Sequence, residues 1–407
     1  MTGTYAPVSE AERVDVLDAL RAFALLGIFI SHVPEFSGFD FMTDAEQAAR
    51  DVLGANAPLD AFQDFFIRGK FFSLFSLLFG IGFAVQLDSA RHRGADFARH
   101  FARRLFVLFA MGALHALVWY GDILKDYALI GLLLIVTARW KPKTTLYAAL
   151  AVLALRALWP IMMWVVVARA TPLEAGANPA GDFFALTQTF SGTDLSAIFA
   201  ANGELLRLKA LQMIYDGKAI SILGMFLLGA YIGRRRIYRE LAANTPFLHR
   251  VLLICAPIGI IGNAFMTYTD TLATRYPPTA LWTIGQIVFA VAVPAMTLAY
   301  ACGFALLWQT ALRRPLRMLA PAGRMALTTY VSQTLIGILF FYGVGAGLRG
   351  SVGLAECMLF AVTVFALQCA LAAGWFEVFR FGPLEWLWRR ATYGTPLPML
   401  KQSHVLT

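Results

Sequence analysis

The sequence predicts an all-α, polytopic integral membrane protein, and three observations carry that reading. Of its 407 residues 59% are hydrophobic and only 14% charged, with a mean hydropathy of +0.64. A soluble domain cannot cover so much apolar surface with so few charges. Apolar runs close to the roughly 20 residues needed to cross the hydrocarbon recur along the whole chain. Such runs must be helical, because lipid leaves every backbone N–H and C=O to be satisfied within the segment. Finally, the basic residues crowd into alternate connections.

Ten runs fit a span: 19–36, 70–88, 104–120, 124–138, 145–168, 218–234, 250–268, 281–308, 326–346 and 354–378. If the first crosses from inside to outside, 23 of the 34 Lys and Arg fall on the inner side, ten on the outer, and Arg156 within a span. The inner clusters are Arg91 to Arg104, Arg234 to Arg239 and Arg313 to Arg317. The positive-inside rule then places both termini in the cytoplasm and the protein in the cell membrane, multi-pass. This sidedness also accounts for the net charge of +9 without nucleic acid as a partner. Residues 1–18 lack the basic, apolar and small-residue order of a signal peptide, so none is expected to be removed. Cys255, Cys302, Cys357 and Cys369 lie inside apolar runs without metal-ligand spacing, so neither disulfides nor a metal is expected.

The first span carries Asp18 and Arg21 three residues apart at its inner end and His32 and Glu35 three apart at its outer end, with Pro34 between the latter. Each pair shares a helix face. The first pair reads as an interfacial ion pair, the second either as a proton-transferring pair or as another interfacial one. The connections 37–69 and 169–217 are longer than turns and are expected to be external loops capping the outer mouth of a single membrane domain. Gly69-Lys70 with Ser73, and Gly217-Lys218 with Ser221, open two spans alike. Small residues four apart, Gly229 with Gly233 and Gly343 with Gly347, mark expected close helix contacts.

The densest chemistry lies at 101–131. A histidine, His115, interrupts an apolar run, and Gly121, Asp122, Lys125 and Asp126 follow it between two apolar segments. Ionisable groups at such depth are costly enough to point to function or pairing. At 100° per residue Gly112, His115, Trp119 and Asp122 share one face, with Gly112 letting a ligand or helix approach the imidazole. His115 and Asp122 are about 10 Å apart along an unbroken helix, so they can bond directly only if the chain breaks at Gly121 and folds back. No GxxxxGK[ST], HExxH, CxxC or GxSxG occurs, which removes the nucleotide, metalloprotease and serine-hydrolase signatures.

Five blocks in order, LDALRAFALLGIFISHVPEF at 17–36, GKFFSLFSLLFGIGFAV at 69–85, the arginine-led segment 103–131, AGRMALTTYVSQTLIGILFFYGVGAG at 322–347 and FGPLEWLWRRATYG at 381–394, resemble the YeiB-like family, domain of unknown function 418. That family is grouped with transmembrane acyltransferases such as the heparan-alpha-glucosaminide N-acetyltransferase-like and OafA-like proteins. The resemblance implies transfer of an acyl group from cytoplasmic acyl-CoA to a small-molecule or glycan acceptor at the outer side of the membrane. In its terms His115 is a general base or transient acyl acceptor and Asp122 orients the imidazole. His32, Glu35, Gly112 and Trp119 line the substrate site, and Arg21, Arg103 and Arg104 hold the phosphates of coenzyme A. The sequence departs from the family where His32 stands in place of an asparagine. A proton-linked transporter using the same polar residues is the alternative.

Overall fold

The computed structural model describes residues 14–169, 179–270, 279–394 and 396–401. Residues 1–13, most of the segment in which no signal peptide is expected, lie outside them. The helices are α1 (Asp15–Ser37), α2 (Asp44–Ala49), α3 (Asn56–Phe62), α4 (Lys70–His92), α5 (Phe97–Val118), α6 (Leu124–Val136), α7 (Pro142–Arg169), α8 (Pro179–Gln188) and α9 (Leu195–Tyr215). They continue as α10 (Lys218–Arg234), α11 (Thr245–Asp270), α12 (Ala280–Leu307), α13 (Arg313–Arg317), α14 (Ala320–Arg324), α15 (Ala326–Phe341), α16 (Leu354–Val378) and α17 (Pro383–Tyr393). Among the described residues the extended pairing is one bridge, Phe379 with Leu400.

The all-α membrane architecture stands, with a different span inventory. Among the described residues seven helical runs are long and apolar enough to cross a membrane, and α9 with α10, bent by 66° at their junction, makes an eighth if taken as one. Two of the ten expected spans are short helices. The run from 124 yields 13 residues in α6, about 20 Å of helix, and the run from 326 yields 16 in α15, about 24 Å, against a core of roughly 30 Å.

α1 is the central pole: 72% of its apolar window is buried, against 17% for α7. Leaving lipid for a protein interior offers little hydrophobic gain, so close packing has to hold the helices together. Glycines supply it. A Cβ on Gly80 would run into the Phe226 carbonyl, one on Gly229 into the Leu77 carbonyl, and one on Gly323 into the Asp18 carbonyl. The first two bring α4 and α10 together reciprocally, and the third seats α14 on α1. Gly233 also faces α4, at Ala84, and Gly343 lies against the Ser191 and Gly192 carbonyls. Gly347 has no neighbour there and instead takes φ +69° in the turn after α15, so the expected Gly343/Gly347 helix contact is half a turn. The matched Gly-Lys openings sit at matching places, Gly69 (φ +84°) before α4 and Gly217 (φ +63°) before α10.

The basic clusters gather at one end of the bundle. There Arg317 meets Asp15 at 3.0 Å, Arg236 meets Asp88 at 2.7 Å, and Arg104 stacks on Trp388 of α17 at 3.6 Å. The two long connections meet at the other end, where Phe41 packs on Phe183, and Lys209 pairs with Glu35 of α1 at 3.2 Å. The four cysteines are free thiols.

Candidate functional site

α5 begins at an Asp96 cap that accepts the Arg99 N–H at 3.3 Å and ends at Val118. Trp119 is extended (φ −148°, ψ 119°), its N–H still bonded to the His115 carbonyl at 3.0 Å. Gly121 lies against the Trp119 indole, where any Cβ would overlap the ring. The chain therefore turns back, and α6 starts at Leu124. The expected continuous face of Gly112, His115, Trp119 and Asp122 is replaced by a hairpin, because the helix stops before Trp119. Gly112 is what lets the hairpin close: its missing Cβ leaves room for the Lys125 N–H and the Leu124 backbone. Its place is helix packing beside the imidazole.

The reversal joins the two residues that an unbroken helix would hold apart. His115 Nδ1 lies 2.8 Å from Asp122 Oδ2, with side-chain exposures of 4% and 0%. The other carboxylate oxygen accepts the Lys125 N–H at 3.1 Å, satisfying a first-turn donor of α6. Lys125 Nζ reaches back to the Asp122 carbonyl at 2.9 Å and to Asp126 at 3.1 Å. An ionised carboxylate only accepts, so Nδ1 carries the proton and Nε2 presents its lone pair. Nε2 is buried without a hydrogen-bond partner. Asn202 of α9 completes the hairpin, its amide donating to the Ala116 and Leu117 carbonyls at 2.7 and 2.8 Å. Those carbonyls are among the ones a helix end leaves open.

Aromatic rings enclose the dyad. His115 packs edge-on to Tyr330 of α15 at 5.4 Å between centroids and lies 6.1 Å from Trp119. His32 of α1 contacts Trp119 at 4.7 Å and Tyr330 at 6.5 Å, so both histidines share one aromatic box. Glu35 turns away to Lys209, and no hydrogen bond links it to His32 among the described residues.

A cavity of about 290 Å³ leads from the basic end toward this box. Its α1 wall runs from Asp18 and Arg21 through Leu25 to Ile28, and its inner end reaches Ile123, Tyr127 and Tyr330. That wall is about 15 Å long. Tyr330 and Ile123 stand between the cavity and His115, which does not line it. At the mouth are Arg21, Arg104, Arg239, Arg324 and Arg389 with Asp18 and Glu385, five cations against two carboxylates. Arg21 is ion-paired with Asp18. Arg103 lies on the exposed side of α5 and is not part of the wall. Glu385 accepts the Leu327 and Thr328 N–H groups at 2.6 and 3.1 Å and the Thr328 hydroxyl at 2.6 Å, fixing α17 on the N-terminus of α15. Burial pushes its carboxyl above the usual range, against the hydrogen bonds from Thr328 and Leu327.

A second cavity of about 540 Å³ lies on the far side of the box, lined by Ile28, Ser31 and His32 of α1 with Arg156, Lys218 and Gln286 among others. Ile28 belongs to both walls.

His115, Asp122, Trp119 and His32 are thus brought together, Arg21 and Arg104 share a cavity mouth, Glu35 sits one turn beyond His32 and faces Lys209, and Arg103 stands apart from both groups. Tyr330, Asn202, Arg239, Arg324 and Arg389 are the residues that sequence reasoning did not single out. Tyr330, Arg324 and Arg389 do lie within the blocks quoted above.

The family model for a protein of unknown function, DUF418, matches residues 232–395. The chain is 30% identical to the uncharacterized protein YxaH of Bacillus subtilis (strain 168), over 98% of this chain and 99% of that one. It is 26% identical to an uncharacterized 39.9 kDa protein in the amylase 3′ region of Bacillus acidopullulyticus, over 97% and 98% of the two chains. With the uncharacterized protein YeiB of Escherichia coli (strain K12) it shares 28% identity over 96% and 99%. No solved structure matches the chain. Similar to these relatives from end to end, the chain belongs to the family of YeiB-like proteins of unknown function, DUF418.

Proposed function

We propose that the protein is a membrane-bound acyltransferase that moves an acyl group from cytoplasmic acyl-CoA to a small-molecule or glycan acceptor at the outer face of the membrane. The observation that carries this reading is the imidazole of His115. Its Nδ1–H is held by Asp122, its Nε2 is buried and unpartnered, and an arginine-rimmed cavity leads toward it from the basic end. An imidazole with one nitrogen held as N–H by a carboxylate and the other left free is the kind of general base that acyl transfer needs.

In this reading the diphosphate of acyl-CoA lies among Arg21, Arg104, Arg239, Arg324 and Arg389, where guanidinium groups suit phosphate oxygens. The cavity, at the lower limit of small-ligand pockets of roughly 300–1,000 Å³, admits the pantetheine arm and leaves the nucleotide at the mouth. The acceptor enters from the second cavity past His32. As its hydroxyl or amine attacks the thioester carbon, the proton passes to His115 Nε2, and Asp122 balances the imidazolium. The tetrahedral intermediate then expels the coenzyme A thiolate, which recovers the proton from the imidazolium. Tyr330 and His32, both against the box, are the donors nearest to the developing oxyanion. Tyr330 must swing aside for the arm to reach the imidazole.

Purified protein incubated with radiolabelled acetyl-CoA should hydrolyse it slowly or acquire label, and His115→Gln should lose both. Gln can replace the hydrogen bond to Asp122 but cannot accept a proton at neutral pH. Full turnover in His115→Gln refutes the general base. Substrate flux with neither acyl-CoA binding nor turnover favours the proton-linked transporter instead.

A further inference from the structure

Arg156 lies in the middle of α7, the least buried of the candidate spans, where a guanidinium is costly unless it is held inside the protein. It is held there: Arg156 is 2% exposed and points across to α12, where Nη2 donates to the Gln286 side-chain carbonyl at 3.2 Å. Nε and Nη1 are buried with no hydrogen-bond partner. A guanidinium has five donors, and a buried charge with this many unmet is expensive, so the fold keeps it for an acceptor that arrives from outside.

The surroundings indicate which acceptor. Arg156 lines the second cavity with Arg68, Lys218 and Asp216, and with the neutral hydrogen-bonding groups of Ser31, Ser221 and Gln286. Three cations face one carboxylate on that wall. Arg68 is already engaged by Asp60 at 2.8 Å, Asp64 at 2.7 Å and Asp40 at 3.3 Å, which leaves Arg156 and Lys218 facing Asp216, one cation in excess. His32 lines the same cavity and packs on Trp119 in the aromatic box. A molecule anchored by one end at Arg156 therefore points its other end toward His115.

We infer that this cavity binds an oxyanionic group, phosphate or carboxylate, carried by the acyl acceptor, with Arg156 and Lys218 as its counter-ions. The assignment to the acceptor rests on the acyl-transfer reading, whereas the anion site itself does not. The same chemistry could belong to a lipid headgroup or to a water-soluble acceptor.

The test titrates the purified full-length protein in phosphatidylcholine nanodiscs with inorganic phosphate, against sodium chloride at equal ionic strength. Tryptophan fluorescence, to which the wall residue Trp282 contributes, and the thermal midpoint are the readouts. A saturable response specific to phosphate is expected, with the apparent Kd raised at least tenfold in both Arg156→Gln and Lys218→Gln. If Arg156→Gln does not fold, Lys218→Gln and the wild type decide. The inference is overturned if the wild type responds to phosphate no more than to chloride, or if Lys218→Gln binds phosphate like the wild type. Repeating the titration in discs containing phosphatidylglycerol assigns the source. Loss of the phosphate response there identifies a lipid headgroup as occupant, and an unchanged response identifies a soluble one. No acyl-CoA is present, so a failed titration beside normal acyl-CoA turnover removes the anion site alone. A normal titration beside absent turnover removes acyl transfer alone.

Discussion

Replacing Asp122 by asparagine separates the chemistry of the buried dyad from its structural role. The carboxylate makes two bonds through different oxygens, to His115 Nδ1 at 2.8 Å and to the Lys125 N–H at 3.1 Å. In Asp122→Asn the side-chain oxygen can keep only one of them. Facing Lys125, it leaves the amide to donate to Nδ1, which must then give up its proton, and the imidazole shifts to the tautomer with Nε2 protonated. Facing His115 instead, it keeps that bond but puts the amide donor against the Lys125 N–H donor, so the Lys125 bond is lost. The first orientation wins, retaining both bonds, so the thermal midpoint should move by the equivalent of only about 1 kcal/mol. The lone pair at Nε2 is gone, however, and under the proposed mechanism general-base catalysis of about 10²–10⁴-fold should disappear with it. That range corresponds to about 3–5.5 kcal/mol of transition-state stabilisation. Steady-state release of coenzyme A from acetyl-CoA, measured beside acetyl-CoA affinity, is the assay. Turnover should collapse while affinity holds, because the arginine mouth is untouched. Unchanged turnover in Asp122→Asn refutes the reasoning, as does a fall in turnover matched by an equal fall in affinity.

The packing and orientation of the bundle yield further expectations. Asn202→Ala strips two hydrogen bonds from the buried end of α5 and should cost about 2–4 kcal/mol of stability, read as a lowered thermal midpoint; an unchanged midpoint would mean that α9 does not hold the hairpin. Gly80→Ala and Gly229→Ala each press a methyl into the facing backbone at the α4 and α10 crossing and should destabilise by about 1–3 kcal/mol apiece. The double variant should cost less than their sum, since separating the helices relieves both clashes, and strict additivity would contradict a shared contact. Reporter fusions after Arg239 and after Lys401 should read as cytoplasmic and one near Gly181 as external, and a cytoplasmic signal at Gly181 would overturn the proposed orientation.

The architecture was legible because lipid imposes a length and a composition that hydropathy reads directly. Where expected spans form shorter helices, the cause is local backbone geometry inside an apolar run. The 326–346 run stops being helical at Phe341 because Gly343 gives its N–H to the Phe190 carbonyl and Gly347 takes a positive φ. The 124–138 run is helical only to Val136, where the chain tightens into a 3-10 turn over Thr137–Arg139 and Trp140 extends. His115 and Asp122 stood out as polar residues without solvent, and Gly121 marked the one place where the chain could bring them together. Their burial also bears on stability. On sequence grounds the imidazole serves chemistry more than packing, but removing it here would strip the fully buried Asp122 of a partner, so glutamine is a cleaner replacement than alanine. Asn202 and Tyr330 were not legible as site residues, because their roles depend on contacts with chain segments far away in sequence. Asn202 meets carbonyls 85 and 86 residues back, and no periodicity within α9 encodes that. Arg239, Arg324 and Arg389 were hidden for the opposite reason: topology alone accounts for arginines at the basic end, so only their convergence on one cavity sets them apart.

The most direct test of the central claim is an experimental structure of the protein with a non-hydrolysable thioether analogue of acetyl-CoA. The diphosphate is expected among Arg104, Arg324 and Arg389, the pantetheine arm along Asp18 to Ile28, Tyr330 displaced, and the acyl carbonyl carbon within about 4 Å of where an acceptor bonded to His115 Nε2 would attack. An analogue that does not bind at saturating concentration, or one seated with its acyl end away from the His115–Asp122 pair, would contradict it.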